Sequence, residues 1–183
     1  MQSDKEASIS IRSYMAEMHN DALYYLSQAN GTTDLFPRYR FFRSSLINFC
    51  TSAEAAMSTI VYNHLKSNEL TLSDDDKKLL DKLNDPQSIP PFSFRSIANK
   101  IKTIERLFNM IIPDEVKSSY VELTETRNKI IHYSSSYKEI IYENGTIEAK
   151  AKEAPQIVDD FLSVLFSLVG LSGGFYKNRK PNY

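Results

Sequence analysis

Glycine is scarce in this chain, five residues in 183, and none of the spaced-glycine loops that cradle nucleotide phosphates is present. Tryptophan is absent, and the single cysteine, Cys50, leaves no partner for an intramolecular disulfide, which suits a reducing cytoplasm. An excess of either charge is lacking too. Lys and Arg total 22 against 23 Asp and Glu, a net charge of −1, so any attraction to nucleic acid has to come from a local patch. The longest apolar run, Phe161 to Leu171, is about half of a membrane span and follows Asp159-Asp160. His19, His64 and His132 stand at no metal-ligand spacing and there is no cysteine cluster, so neither a metal nor a cofactor is expected. The opening Met1 to Glu6 does not have the pattern of a signal peptide. A cytoplasmic protein with no membrane partner is the expectation.

What the chain does have is helical periodicity. Apolar positions in 7–29 recur at Ile11, Met15, Met18, Ala22 and Leu26, and Asn30-Gly31 ends the pattern. From Pro37 to about Lys66, Phe42, Leu46, Phe49, Ala53, Met57 and Ile60 form one stripe, with Ile47, Cys50 and Val61 beside it. Apolar on most sides, this helix is expected at the centre of the fold, and Cys50 reads as a small buried hydrophobe. Ser73 caps a short acidic helix with Asp74, Asp75 and Asp76 in its first turn. Phe94 to Ile111 is amphipathic, and its polar side carries Arg95, Lys100, Lys102 and Arg106. Such a basic face is ordinarily solvated surface, and it is also where a nucleic-acid backbone would lie.

Pro113 opens a further helix, on which Val116, Tyr120, Leu123, Arg127 and Ile130 share a stripe. Asn144-Gly145 stands between two β-prone runs in Tyr137 to Lys150, a hairpin signal. A last apolar helix opens at Pro155 and closes at Gly173-Gly174. The expected fold is therefore all-α: an up-and-down bundle of about five to six helices with a small β-hairpin before the last. Residues 1–175 form a single helical domain, and 176–183 form a basic tail expected to be loose.

Two charged residues interrupt apolar stripes. Arg127 sits where the periodicity calls for a hydrophobe, and Glu54 breaks the central helix. Each is costly to bury alone, so a Glu54–Arg127 ion pair is expected. Arg127 is followed by Asn128, and His132 comes four residues after that, on the same helical face as Asn128. A fixed cation, an amide and a group that titrates near neutrality are the parts needed to grip a phosphate and move a proton beside it.

Arg127-Asn128-x-x-x-His132, late in a helical bundle of this size, resembles the motif of the HEPN superfamily of prokaryotic helical domains. Ser52-Ala53-Glu54-Ala55-Ala56 is similar to the Glu-containing stretch in an early long helix of that family. The resemblance covers most of the chain in architecture and about a dozen residues in motif. It implies a metal-independent endoribonuclease of a toxin–antitoxin or anti-phage defence system, working as a homodimer with RNA as substrate and an antitoxin as a further partner. Arg127, His132 and Asn128 would be catalytic, Glu54 supporting, and Arg95, Lys100, Lys102 and Arg106 a weaker RNA-binding set. The products would carry a 2′,3′-cyclic phosphate and a free 5′-hydroxyl. The alternative is a non-catalytic dimeric module of the same family that binds RNA, a nucleotide or a protein. A DNA-binding role for the 94–111 face ranks last, because no helix-turn-helix signature accompanies it. Ser134 stands where some members carry a modifiable tyrosine, so that regulation is not carried over.

Overall fold

The computed structural model describes residues 13–85, 87–132 and 145–170. Six α-helices and no strand occur among them. They are α1 (Tyr14–Gly31), α2 (Leu35–Ser67), α3 (Asp74–Asn84), α4 (Ile97–Phe108), α5 (Asp114–Ile131) and α6 (Thr146–Leu168). Short 3₁₀ turns at Glu69–Thr71 and Phe92–Phe94 join α2 to α3 and lead into α4.

The ends of these helices follow from side chains close by. Ser13, Asp34, Ser73 and Ser96 each accept a backbone N–H from the first turn, at 3.1–3.4 Å, satisfying donors that have no intrahelical partner. Pro113 opens α5 without a side-chain cap. Asn109 ends α4 in the left-handed region at φ 48°, a conformation asparagine tolerates better than most residues.

The 33-residue helix α2 packs against all five others. Phe42, Leu46, Phe49, Cys50, Ala53, Met57, Val61 and Leu65 on it are fully buried. One cluster of buried side chains draws on every helix, adding Ile101 and Ile104 of α4, Tyr120 and Leu123 of α5, and Phe161 and Leu165 of α6. The central place expected for this helix is the one it occupies. Burying a phenylalanine such as Phe42 stabilises the fold by about 2 kcal/mol. A smaller cluster of Ala29, Phe42, Ile147 and Ala151 closes one end.

The chain between α5 and α6 departs from expectation. Residues 137–144, the first arm and turn of the expected hairpin, lie outside the described residues. Its second arm does not exist as a strand, because Thr146 to Lys150 are the opening turns of α6. Gly145, at φ +64°, precedes them in a conformation few other residues adopt. The reason is packing. Ile147, Ala151, Ala154 and Val158 recur at helical spacing and are all fully buried. That stripe carries the helix through Pro155, which lies inside α6 rather than at its start. A proline there removes one backbone hydrogen bond, and the buried stripe on either side outweighs the loss. Residues 7–12 of the first expected helix and the 176–183 tail also fall outside the described residues. No helix among those described is long and apolar enough to cross a membrane.

Candidate functional site

Three charged side chains from three helices meet beside the core. Arg127 of α5 donates from Nη2 to Glu54 Oε1 of α2, and Lys100 of α4 donates from Nζ to Glu54 Oε2 at 3.0 Å. All three are largely withdrawn from water: Lys100 is 12% exposed, Arg127 19% and Glu54 25%. The Lys100 ammonium also lies 5.6 Å from the centroid of the Phe94 ring, close enough for a cation–π contact. The Glu54–Arg127 contact expected from the two interrupted stripes is present.

Two cations share one carboxylate, so the group carries a surplus positive charge in a setting where water screens weakly. Arg127 Nε is buried and makes no hydrogen bond. Glu54 thus fixes the guanidinium through Nη2, and the Nε–H is enclosed by protein. Lys100 as the second cation on Glu54 is what sequence reasoning missed. It stands on the polar side of an amphipathic helix, a position that reads as solvated until the tertiary fold turns it inward.

The neighbours of this group are held neutral. Burial pushes the Cys50 thiol up to about 12, against the lowering effect of Arg127. A thiol in that state is no nucleophile. Tyr120 is fully buried, donates its hydroxyl to the Cys50 carbonyl at 3.4 Å, and stacks on Phe161 with ring centroids 4.0 Å apart. Burial holds its phenol well above the ordinary value. Neither group is suited to proton transfer at neutral pH.

His132 closes α5. Its backbone N–H donates to the Asn128 carbonyl at 2.8 Å, and both Asn128 and His132 are exposed. The motif is therefore divided, with Arg127 turned in toward Glu54 and His132 at the open end of the same helix. Five positions of helix separate them, a rise of about 7.5 Å and a rotation of about 140°, so the two side chains leave α5 in different directions. His19 and His64 take no part. His19 is buried edge-on against Phe49, and His64 leans on Phe108 with centroids 4.4 Å apart.

The basic set expected on 94–111 does not form a continuous face. Lys100 is turned to Glu54. Arg106 makes a bidentate pair with Asp76 of α3, at 2.5 and 3.1 Å. Arg95 donates from Nε to the Pro90 carbonyl at 2.6 Å, and Lys102 is exposed. Among the described residues no group of three or more His, Cys, Asp or Glu is placed to hold a metal ion.

Comparison with protein-family models, curated proteins and solved structures gave no match to this chain. The resemblance to HEPN domains rests on its own residues.

Proposed function

We propose that this chain is a HEPN-like, metal-independent endoribonuclease of a toxin–antitoxin or anti-phage defence system, acting as a homodimer. The observation that carries the reading is the tethered Arg127. Glu54 holds its guanidinium still, Lys100 leaves the group a net positive charge, and the exposed imidazole of His132 ends the same helix. A fixed cation and an accessible imidazole are groups that RNA transesterification can use, because the nucleophile is the RNA's own 2′-hydroxyl.

In this mechanism His132 accepts the proton of the 2′-hydroxyl as that oxygen attacks the adjacent phosphorus. Arg127 faces the non-bridging oxygens where negative charge builds up, and its preset position avoids reorganisation at that moment. Asn128 hydrogen-bonds a non-bridging oxygen or orients the imidazole. The 5′-oxygen departs, protonated by a second imidazole that a homodimer brings to the same cleft. The products are a 2′,3′-cyclic phosphate and a free 5′-hydroxyl. Cytoplasmic location and an antitoxin partner belong to the same proposal.

A second reading has its own support. Arg127 is mostly buried and committed to Glu54, as a structural ion pair would be. The chain would then be a non-catalytic module of the same type that binds RNA, a nucleotide or a protein. Incubating the purified protein with RNA in chelator-containing buffer separates the two. Fragments ending in 2′,3′-cyclic phosphate support the nuclease, and intact RNA supports the binding module.

A further inference from the structure

Because Arg127 and His132 leave α5 in different directions, the motif's cation and its imidazole do not share a face. Arg127 is turned to Glu54. The solvent side of the last two turns carries a different set. Glu125, Asn128 and His132 are exposed there, and Lys129 beside them is half-buried. Lys129 stands three residues before His132, about 60° around the helix and ~4.5 Å along it. The bond from the His132 N–H to the Asn128 carbonyl, at 2.8 Å, keeps His132 in helical register, so this spacing applies to it.

Lys129 makes no hydrogen bond or ion pair with any described residue. Two carboxylates stand on the same side of α5. Glu122 is held by Lys150 at 2.7 Å. Glu125 lies one turn before Lys129, and the two make no ion pair. Within the turn that ends in His132 the solvent side therefore offers an amide, an uncommitted ammonium and an imidazole, with no acid among them.

A phosphate brought to His132 needs a cation at that place. Helix α5 ends at Ile131, so the carbonyls of its last turn have no partner within the helix and form the negative end of its dipole. His132 supplies no charge of its own as a base, because an imidazole accepts a proton only in its neutral form. The charge of Arg127 is shared with Glu54 and lies around the helix. An ammonium at position 129 offsets the dipole and presents a point charge to a phosphate oxygen.

We propose that Lys129 is a phosphate-binding residue of the His132 site, holding a non-bridging oxygen of the RNA beside the imidazole. The proposal rests on the nuclease reading of His132 and adds to it a residue at a position that the Arg-Asn-x-x-x-His pattern leaves open.

The test compares wild type, Lys129→Gln, Lys129→Arg and Glu125→Gln in two assays, with thermal melts as a check on folding. Cleavage of a labelled single-stranded RNA is followed in chelator-containing buffer. Binding is read by anisotropy over a salt series, using the same strand in 2′-O-methyl form, which has no free 2′-hydroxyl to attack. Lys129→Gln is expected to lower kcat/KM by about tenfold, the loss of one charge-assisted contact. It is also expected to flatten the slope of log affinity against log salt by about 0.7. Lys129→Arg should recover most of both, because it keeps the charge. Glu125→Gln should bind and cleave at least as well as wild type. A Lys129→Gln protein that binds and cleaves as wild type does overturns the proposal. So does a Glu125→Gln protein with the same losses, since Lys129 would then act only as the partner of Glu125. A wild type that neither binds nor cleaves the strand overturns the proposal together with the nuclease reading. Weakened binding in Lys129→Gln, combined with His132→Ala cleaving as wild type does, upholds Lys129 as a phosphate contact and removes the nuclease reading. Lost cleavage in His132→Ala with an unaltered Lys129→Gln removes Lys129 alone.

Discussion

Arg127 and His132 belong to one short motif on one helix, yet they occupy different media. Arg127 is withdrawn from water and tied to Glu54 in company with Lys100, whereas His132 stands in solvent at the helix end. On the proposed function, the difference separates two duties that the motif alone does not distinguish. A cation that must stay in place benefits from a low-dielectric setting and a carboxylate that fixes its geometry. A group that must exchange protons with substrate and solvent benefits from exposure. If the division is right, stability and activity should respond to different members of the same motif.

The largest effect on folding is expected at the buried end. Glu54→Ala leaves two cations facing each other without their carboxylate, and a loss of about 3 kcal/mol is expected in urea denaturation. If that loss is no larger than the cost of an ordinary surface substitution, about 0.5 kcal/mol, the contrast between the two ends fails. Lys100→Met sharpens the same point. It keeps the packed stem but removes the second cation, while Glu54 keeps Arg127. A loss of about 1 kcal/mol is expected in the same assay, together with weaker RNA cleavage as the site's surplus charge disappears. A full loss of stability comparable to Glu54→Ala would mean that Lys100, rather than Arg127, is the principal partner of Glu54.

A pair of one exposed partner, Arg106, and one buried partner, Asp76, provides the smallest effect and a pH signature. The Arg106 guanidinium, helped by Ser73, holds the Asp76 carboxyl below its ordinary value of 3.8. Folded chains therefore keep this carboxylate ionised at a pH where unfolded chains have begun to take up the proton. The stabilisation is complete above about pH 4 and disappears as pH falls through the native value. Arg106 is more than half exposed, so Arg106→Ala should cost about 1 kcal/mol or less at neutral pH. Its denaturation midpoint should converge with that of wild type in acid. A gap that persists at low pH would show that Arg106 acts through packing of its stem, not through charge.

Much of this arrangement was legible before any coordinates. Helix order and the central position of α2 follow from apolar spacing, and Ser73 announced the start of α3. The Glu54–Arg127 pair was legible because each residue interrupts an apolar stripe, and two isolated buried charges of opposite sign need each other. The start of α6 was not. Asn144-Gly145 is a strong local turn signal, but the stripe Ile147, Ala151, Ala154 and Val158 is longer and buried, and tertiary packing prevailed over local preference. The basic face of α4 misled for a related reason. A charge read along one helix says nothing of carboxylates on others, and Lys100 and Arg106 found theirs on α2 and α3. The first turn of α2 was not legible: the expected helix opened at Pro37, whereas α2 begins at Leu35, two residues earlier, with Asp34 as its cap.

The most direct measurement of the account compares His132→Ala with wild type in two assays on the same preparation, urea denaturation and RNA cleavage in chelator-containing buffer. The expected result is stability within about 0.5 kcal/mol of wild type and cleavage slowed by on the order of a hundredfold or more. Cleavage at the wild-type rate by a fully folded His132→Ala protein would contradict the account.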